Sequence, residues 1–165
     1  MMKRIRIEQV LAISIVIFLM AGMTSCFKNQ EIDDNEMERI QNFLDVNDLD
    51  VEPTESGLYY VELIEGTGLQ PVAGDTVEVH YRGTFLDGRI FADNMDKDPF
   101  RFVLGTGHVI EGWDEGITYM NEGGEAMLVI PSTLAYGTAG TYGIPGYTPL
   151  VYTVILEDVT PGPAR

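Results

Sequence analysis

Asp75-Thr-Val-Glu-Val-His-Tyr-Arg-Gly-Thr-Phe85 is the stretch from which the fold can be read. Val77, Val79 and Tyr81 fall on one face and Glu78, His80 and Arg82 on the other, the period of two that a half-buried strand requires. Leu86-Asp87-Gly88-Arg89 follows at once. Asp-Gly tolerates positive φ, so the chain is expected to turn back as a hairpin. Phe100, Phe102 and Leu104 alternate again, as do Ala126, Leu128 and Ile130 and, near the end, Tyr152, Val154 and Leu156. Leu58–Glu65, upstream, is rich in Tyr, Val, Leu and Ile. Trp113, Ile117 and Met120 recur at i, i+4 and i+7, which predicts one short helix laid on the sheet over 112–119. Five or so antiparallel strands, one short helix and long Gly/Pro loops make the predicted fold class α+β.

N-terminal to these strands the pattern changes. Residues 50–57 (Asp-Val-Glu-Pro-Thr-Glu-Ser-Gly) have linker composition. Met37, Ile40 and Phe43/Leu44 predict a helix from Glu36 to about Leu49. Asp33 and Glu36 have the spacing of a capping box. This helix is expected to pack on the body, with dimerisation the alternative. Residues 27–35 are polar and suit a tether. Residues 1–25 are not expected to belong to the fold. Lys3, Arg4 and Arg6 are basic, and Val10 to Met23 is apolar apart from Ser14 and Gly22. That run is short for a membrane span and right for a signal peptide. Met23-Thr-Ser-Cys26 resembles the bacterial lipobox, in which the Cys is lipidated, and two or more acyl chains hold stably to a membrane. The alternative is an ordinary secretory signal with a cysteine nearby.

Composition removes several kinds of chemistry. The 165-residue chain carries 10 Lys+Arg against 26 Asp+Glu, a net charge of −16, and no cluster of cations, so it is not expected to bind nucleic acid. A single cysteine excludes an internal disulfide framework and any Cys-based zinc site. His80 and His108 have no metal-ligand spacing, and neither Ser56 nor Ser132 lies in Gly-x-Ser-x-Gly. Asn94-x-Asp96-x-Asp98 begins like a calcium loop but has Pro99 where Gly belongs and Gly105 where Glu belongs. It is expected to be a solvated acidic loop. No metal or cofactor is expected. Aromatic residues remain, concentrated where strands meet loops: Tyr81, Phe91, Phe100, Trp113, Tyr136 and Tyr152. Trp113 and Tyr136 have polar tips that need partners when buried, which suits a cup for a compact apolar group such as a proline ring.

Val79-His-Tyr-Arg-Gly83, Asp87-Gly88-x-x-Phe91, Pro99-Phe-Arg-Phe102, Val109-Ile-Glu-Gly-Trp113, Ile130-Pro131, Ala135-Tyr-Gly137 and Leu150-Val-Tyr152 occur in the order found in one family. From Gly57 to Val159 the chain resembles an FKBP-type peptidyl-prolyl cis-trans isomerase, in a bacterial lipoprotein form. The resemblance implies a twisted antiparallel sheet wrapped around one short α-helix. The implied organisation is a signal peptide at 1–25, a lipid-anchored tether with a short helix at 26–56, and the isomerase domain at 57–165. It implies Trp113 as the floor of a pocket and Tyr81, Phe91, Phe100 and Tyr152 as its walls. Val109 and Ile110 would line the edge, the Ile110 amide would bind a substrate carbonyl, and Tyr136 would donate its hydroxyl. Implied ligands are proline-containing polypeptides and macrolides such as tacrolimus and rapamycin. The implied setting is a monomer held by lipidated Cys26 at the bacterial cell envelope, at the outer membrane. An alternative is a non-catalytic chaperone or binding module of the same fold.

Two departures stand out. The family places Asp directly after the Phe of its Phe-Asp pair, whereas here Phe91 is followed by Ala92 and the carboxylate is at Asp93. One step along a strand reverses the side chain, so Asp93 is a site residue only if a bulge re-aims it. In the loop 138–149, Thr141 or Tyr142 stands where the family usually has His.

Overall fold

The structure, a computed structural model, describes residues 35–163. Segment 1–25, Cys26 and Asp33 lie outside them. Helix α1 (residues 35–46) is followed by β1 (Tyr59–Ile64), β2 (Thr76–Phe85), β3 (Ile90–Asp93) and β4 (Phe100–Val103). Then come α2 (Glu111–Gly116), β5 (Glu125–Ile130) and β6 (Leu150–Thr160). The sheet runs β1-β5-β6-β2-β3, all antiparallel, and β4 also pairs with β2. Thus β3 and β4 share one edge in succession: β3 meets Arg82–Thr84 and β4 meets Thr76–Val79. This adds one strand to the expected five, because a register shift within β3 breaks its alternation.

Period-two alternation gives the sheet two apolar faces. Leu128, Ile130, Leu150, Tyr152 and Val154 point to one face, where α2 brings Trp113, and the turn that follows it brings Ile117, into the main core. Tyr59, Val129 and Val151 point to the other and meet Ile40 and Leu44 of α1. Ile40 and Leu44 of the apolar stripe of α1 are therefore covered by its own sheet, while Met37 stays exposed. Helix α1 stops at residue 46, short of the expected Leu49. Asp48 adopts φ 54, and the Leu49 amide reaches back to the Leu44 carbonyl at 3.0 Å. This is the left-handed C-terminal cap, with Asp in place of the usual Gly.

The short helix predicted over 112–119 divides into α2 and a 3-10 turn at Ile117–Tyr119, a common tightening of a last turn. Its closeness to the sheet depends on two glycines. A Cβ added at Gly112 would sit 2.5 Å from Ile130 Cγ2, and one at Gly116 would sit 2.7 Å from Leu128 Cδ2. Both neighbours are fully buried. Gly116→Ala is expected to lower stability by about 1–2 kcal/mol, even though alanine is the better helix former by about 1 kcal/mol, because overpacking outweighs propensity. A lower urea midpoint at unchanged m-value checks this.

Candidate functional site

Beside the break between β3 and β4 lies a cleft. Its volume is about 330 Å³, and it is lined from every side of the core by side chains that the sequence singles out. Tyr81 comes from β2, Phe91 from β3, Phe100 from β4, Trp113 from α2 and Tyr152 from β6, with Val109 and Ile110 just ahead of α2 and Tyr136 after β5. All eight share this one cleft. Trp113 is 4% exposed. Tyr81 and Tyr152 each pack edge-to-face on it with centroids 5.0 Å apart, at 79° and 84°. Phe91 meets Tyr152 at 5.5 Å and 89°. Such T-shaped contacts add about 0.5–1.5 kcal/mol each beyond burial, and fix each ring against its neighbour. The Trp113 Nε1–H is buried without a partner among the described residues.

Gly83 is required by these walls. A Cβ there would lie 2.8 Å from both the Phe91 and the Tyr152 rings. The β2–β3 register slips between Gly83 and Thr84, opposite Ala92 and Ile90, so Phe91 is the extra residue of a bulge. Consecutive residues of a regular strand face opposite ways, yet Phe91 and Ala92 both line the cleft. The bulge therefore re-aims Ala92 and leaves Asp93 outside the lining. The Asp93 carboxylate instead accepts a bond from Arg82 Nε at 2.6 Å and from the Met95 amide at 2.8 Å. The Arg82 hydrogen bond first, and then the Met95 amide, hold its carboxyl below the usual carboxylate range.

Two further residues shape the site without a sequence signal of their own. Asn94, expected in a solvated loop, is buried at 8% exposure. Its Oδ1 accepts from the Tyr81 amide at 2.6 Å, and its Nδ2 donates to the carbonyls of Val79 and Asp98 at 3.2 and 3.3 Å. It closes the backbone of the β3–β4 break and holds the base of Tyr81. Asp114 accepts from the amides of Gly105 and Gly107 at 2.9 and 3.0 Å and so ties down the loop that carries Val109 and Ile110. Only the fold brings either side chain to its partners. Loop 138–149 closes on itself through reciprocal Thr141–Ile144 backbone bonds of 2.8 and 2.9 Å. Both Thr141 and Tyr142 line the cleft.

Burial first, and then the neighbouring Tyr136 and Tyr81 hydroxyls, push the Tyr152 phenol far above its ordinary value of 10.0. Its hydroxyl stays protonated, and a donor, across the working pH range. The folded protein keeps this proton where the unfolded chain releases it. Stability should therefore fall as pH rises past about 10, by about 1.4 kcal/mol per pH unit from Tyr152 alone. Comparing urea midpoints at pH 9 and 11 for wild type and Tyr152→Phe checks this. The variant should show the shallower loss.

No group of three or more His, Cys, Asp or Glu side chains is arranged to hold a metal ion among the described residues. The site is one of shape, aromatic surface and hydroxyl donors.

Comparison with known proteins follows the same lines. A profile of the family described as FKBP-type peptidyl-prolyl cis-trans isomerase matches residues 68–157. The chain is similar to FKBP-type peptidyl-prolyl cis-trans isomerase FkpA of Escherichia coli strain K12, with 43% identity over 114 residues, or 68% of this chain and 42% of that protein. It therefore spans less than half the length of that relative. An FK506-binding protein of Neisseria meningitidis serogroup B is 42% identical over 105 residues, which cover 62% of this chain and 96% of that one. The crystal structure of Escherichia coli FkpA superposes with a TM-score of 0.71 at 32% identity, covering 98% of this chain and 76% of that one. A peptidyl-prolyl cis-trans isomerase from Pseudomonas syringae pv. tomato superposes with a TM-score of 0.66 at 34% identity, covering 78% and 96%.

Proposed function

This chain belongs to the FKBP-type peptidyl-prolyl cis-trans isomerase family, and from that premise we propose that it catalyses rotation about X–Pro bonds in exported polypeptides. The observation that carries the proposal is the cleft floored by Trp113, with Tyr81 and Tyr152 packed edge-on against it. Rotation about X–Pro meets a barrier of about 18–20 kcal/mol, because the amide loses resonance when twisted. No bond breaks, so no nucleophile is needed. The twisted amide has less charge separation than the planar one, and a dry aromatic surface favours it over the ground state. Trp113, Tyr81, Phe91, Phe100 and Tyr152 would hold the proline ring. The Tyr136 hydroxyl and the Ile110 amide would hold flanking carbonyls while the imide turns, with Val109 at the edge. A thousandfold acceleration needs only about 4 kcal/mol. Macrolides such as tacrolimus and rapamycin would occupy the same cleft.

The proposed setting is a bacterial envelope, with residues 1–25 removed and lipidated Cys26 holding a 26–56 tether ahead of the 57–165 domain at the outer membrane. The order of basic, apolar and small residues before Cys26 supports it. A monomer fits an α1 whose Ile40 and Leu44 are covered by their own sheet.

A second reading, a non-catalytic binder of proline-containing segments, is favoured by one observation: Asp93 is engaged by Arg82 outside the cleft. NMR exchange measurements on a short X-Pro peptide, with the full chain in non-ionic detergent, separate the two. Acceleration by wild type, lost in a Tyr136→Phe/Trp113→Ala variant, is the expected result. Binding without acceleration would overturn the enzyme reading and leave the binder.

A further inference from the structure

A second and larger cavity lies beside the cleft. It measures about 640 Å³ against 330 Å³ for the cleft, and it runs between α1, the β2–β3 hairpin and the 143–148 stretch of the long loop. The two cavities are lined by neighbouring residues, none of them in common. Phe85 lines the larger one and Phe91 the cleft, and their rings are 5.1 Å apart. Gly143 and Pro145 line the larger one while Tyr142 and Ile144, alternating with them, line the cleft. A polypeptide leaving the cleft over this partition enters the groove within one or two residues, since an extended chain advances about 3.3 Å per residue.

Charge indicates what the groove would hold. The described residues contain only five Lys and Arg, in a chain of net charge −16. Arg82 and Arg101 are paired with Asp93 and Glu78, and the Lys97 ammonium donates to the Asp93 carbonyl. The other two, Arg39 and Arg89, both line the groove, together with one carboxylate, Asp87, which leaves the lining with a net positive charge. Arg89 bonds Asp87 at 2.8 Å and lies 4.8 Å from the Phe85 ring centroid. Arg39 makes one long bond, 3.4 Å, to the Tyr147 carbonyl and has no carboxylate partner among the described residues. Apolar surface from Phe43, Val46 and Leu86 lies between them.

We propose that this groove is a second polypeptide-binding site, which takes the flank of the same chain whose proline occupies the cleft and selects flanks that carry carboxylates. The proposal rests on the isomerase reading and adds a substrate preference to it. The groove would hold the substrate by contacts away from the imide, so it would act on KM and leave the rotation step to the cleft.

The test uses three peptides with the full chain in non-ionic detergent. One is a four-residue X-Pro peptide that fills only the cleft. The other two are about fourteen residues long, with three Glu or three Gln on each side of the proline. Wild type is expected to turn over the Glu peptide with kcat/KM about threefold above the Gln peptide, the size that one exposed ion pair, at Arg39, allows. This advantage should lie in KM and shrink between about 20 mM and 300 mM salt. In an Arg39→Ala/Arg89→Ala variant it should vanish while the four-residue peptide is handled as before. Equal rates for Glu and Gln peptides in wild type, or a preference that survives in the variant, would overturn the proposal. If wild type accelerates none of the peptides, the isomerase reading fails on its own. Titration with the Glu peptide then decides the groove: NMR shifts at the Arg39 and Arg89 side-chain N–H groups support it, and unmoved signals reject it.

Discussion

Trp113→Ala is expected to reduce isomerisation by on the order of a hundredfold, about 2.7 kcal/mol of transition-state stabilisation, and to cost about 3–5 kcal/mol of folding stability. The two losses have one origin. The indole is the body against which Tyr81 and Tyr152 are set, each at 5.0 Å, and it also lies within 6.4 Å of Phe100 and 6.1 Å of Phe102. Removing it leaves those rings without their common neighbour. The cleft then loses its floor and the main core gains a void. Trp113→Phe separates the two effects. It keeps an apolar floor and deletes an Nε1–H that has no partner among the described residues, so its stability should stay within about 2 kcal/mol of wild type. A rate on the short peptide that is unchanged in Trp113→Ala, measured on protein shown to be folded by near-UV circular dichroism, would remove Trp113 from the proposed mechanism.

Glu36→Ala is expected to cost about 3 kcal/mol of stability. Glu36 is 4% exposed, and its two carboxylate oxygens accept from the Ser132 amide at 2.5 Å and the Ser132 hydroxyl at 2.6 Å. Ser132 is itself 3% exposed, so truncation strands two buried donors. The carboxylate also sits in the first turn of α1, where the helix dipole favours negative charge. Ser132 opens the 3-10 turn Ser132–Leu134, and its carbonyl accepts the Gly137 amide at 2.7 Å, so both flanks of Tyr136 depend on it. Loosening of that turn should raise KM for the short peptide more than a comparable surface change does. Glu36→Gln retains the shape and one acceptor and should lose about half as much. Urea midpoints of the two variants, read with the peptide kinetics, decide the matter. A Glu36→Ala midpoint equal to wild type would show that the Ser132 contact contributes nothing.

The strands that could be read from the chain are those with one dry face over several residues. Val77-x-Val79-x-Tyr81 is the clearest, and the structure gives it as expected. β3 could not be read because its pairing is set by a bulge opposite Gly83, a cross-strand event with no local periodicity. The aromatic lining was legible because ring side chains at strand ends are costly unless they pack together, and each of those named lies in one cleft. Asn94 and Asp114 were not legible. Each acts by accepting backbone amides from residues that only the folded chain brings near. Glu36 belongs with them: three positions after Asp33 it has the spacing of a capping residue, yet its bonded partner is Ser132, ninety-six positions away.

The position of β6 in the sheet also governs when the domain can form. A ribosome delivers the chain from its N-terminus, and of the strands of this sheet Leu150–Thr160 is delivered last. Until it arrives, β2 can pair only with β3 and β4, and β5 only with β1. The growing chain therefore holds two small sheets, each with an open edge, that nothing else in the topology joins. Closure comes as one late, long-range event, and long-range pairing is the slow kind. A message cut short before residue 150 would yield two unjoined fragments of sheet in place of a slightly smaller domain.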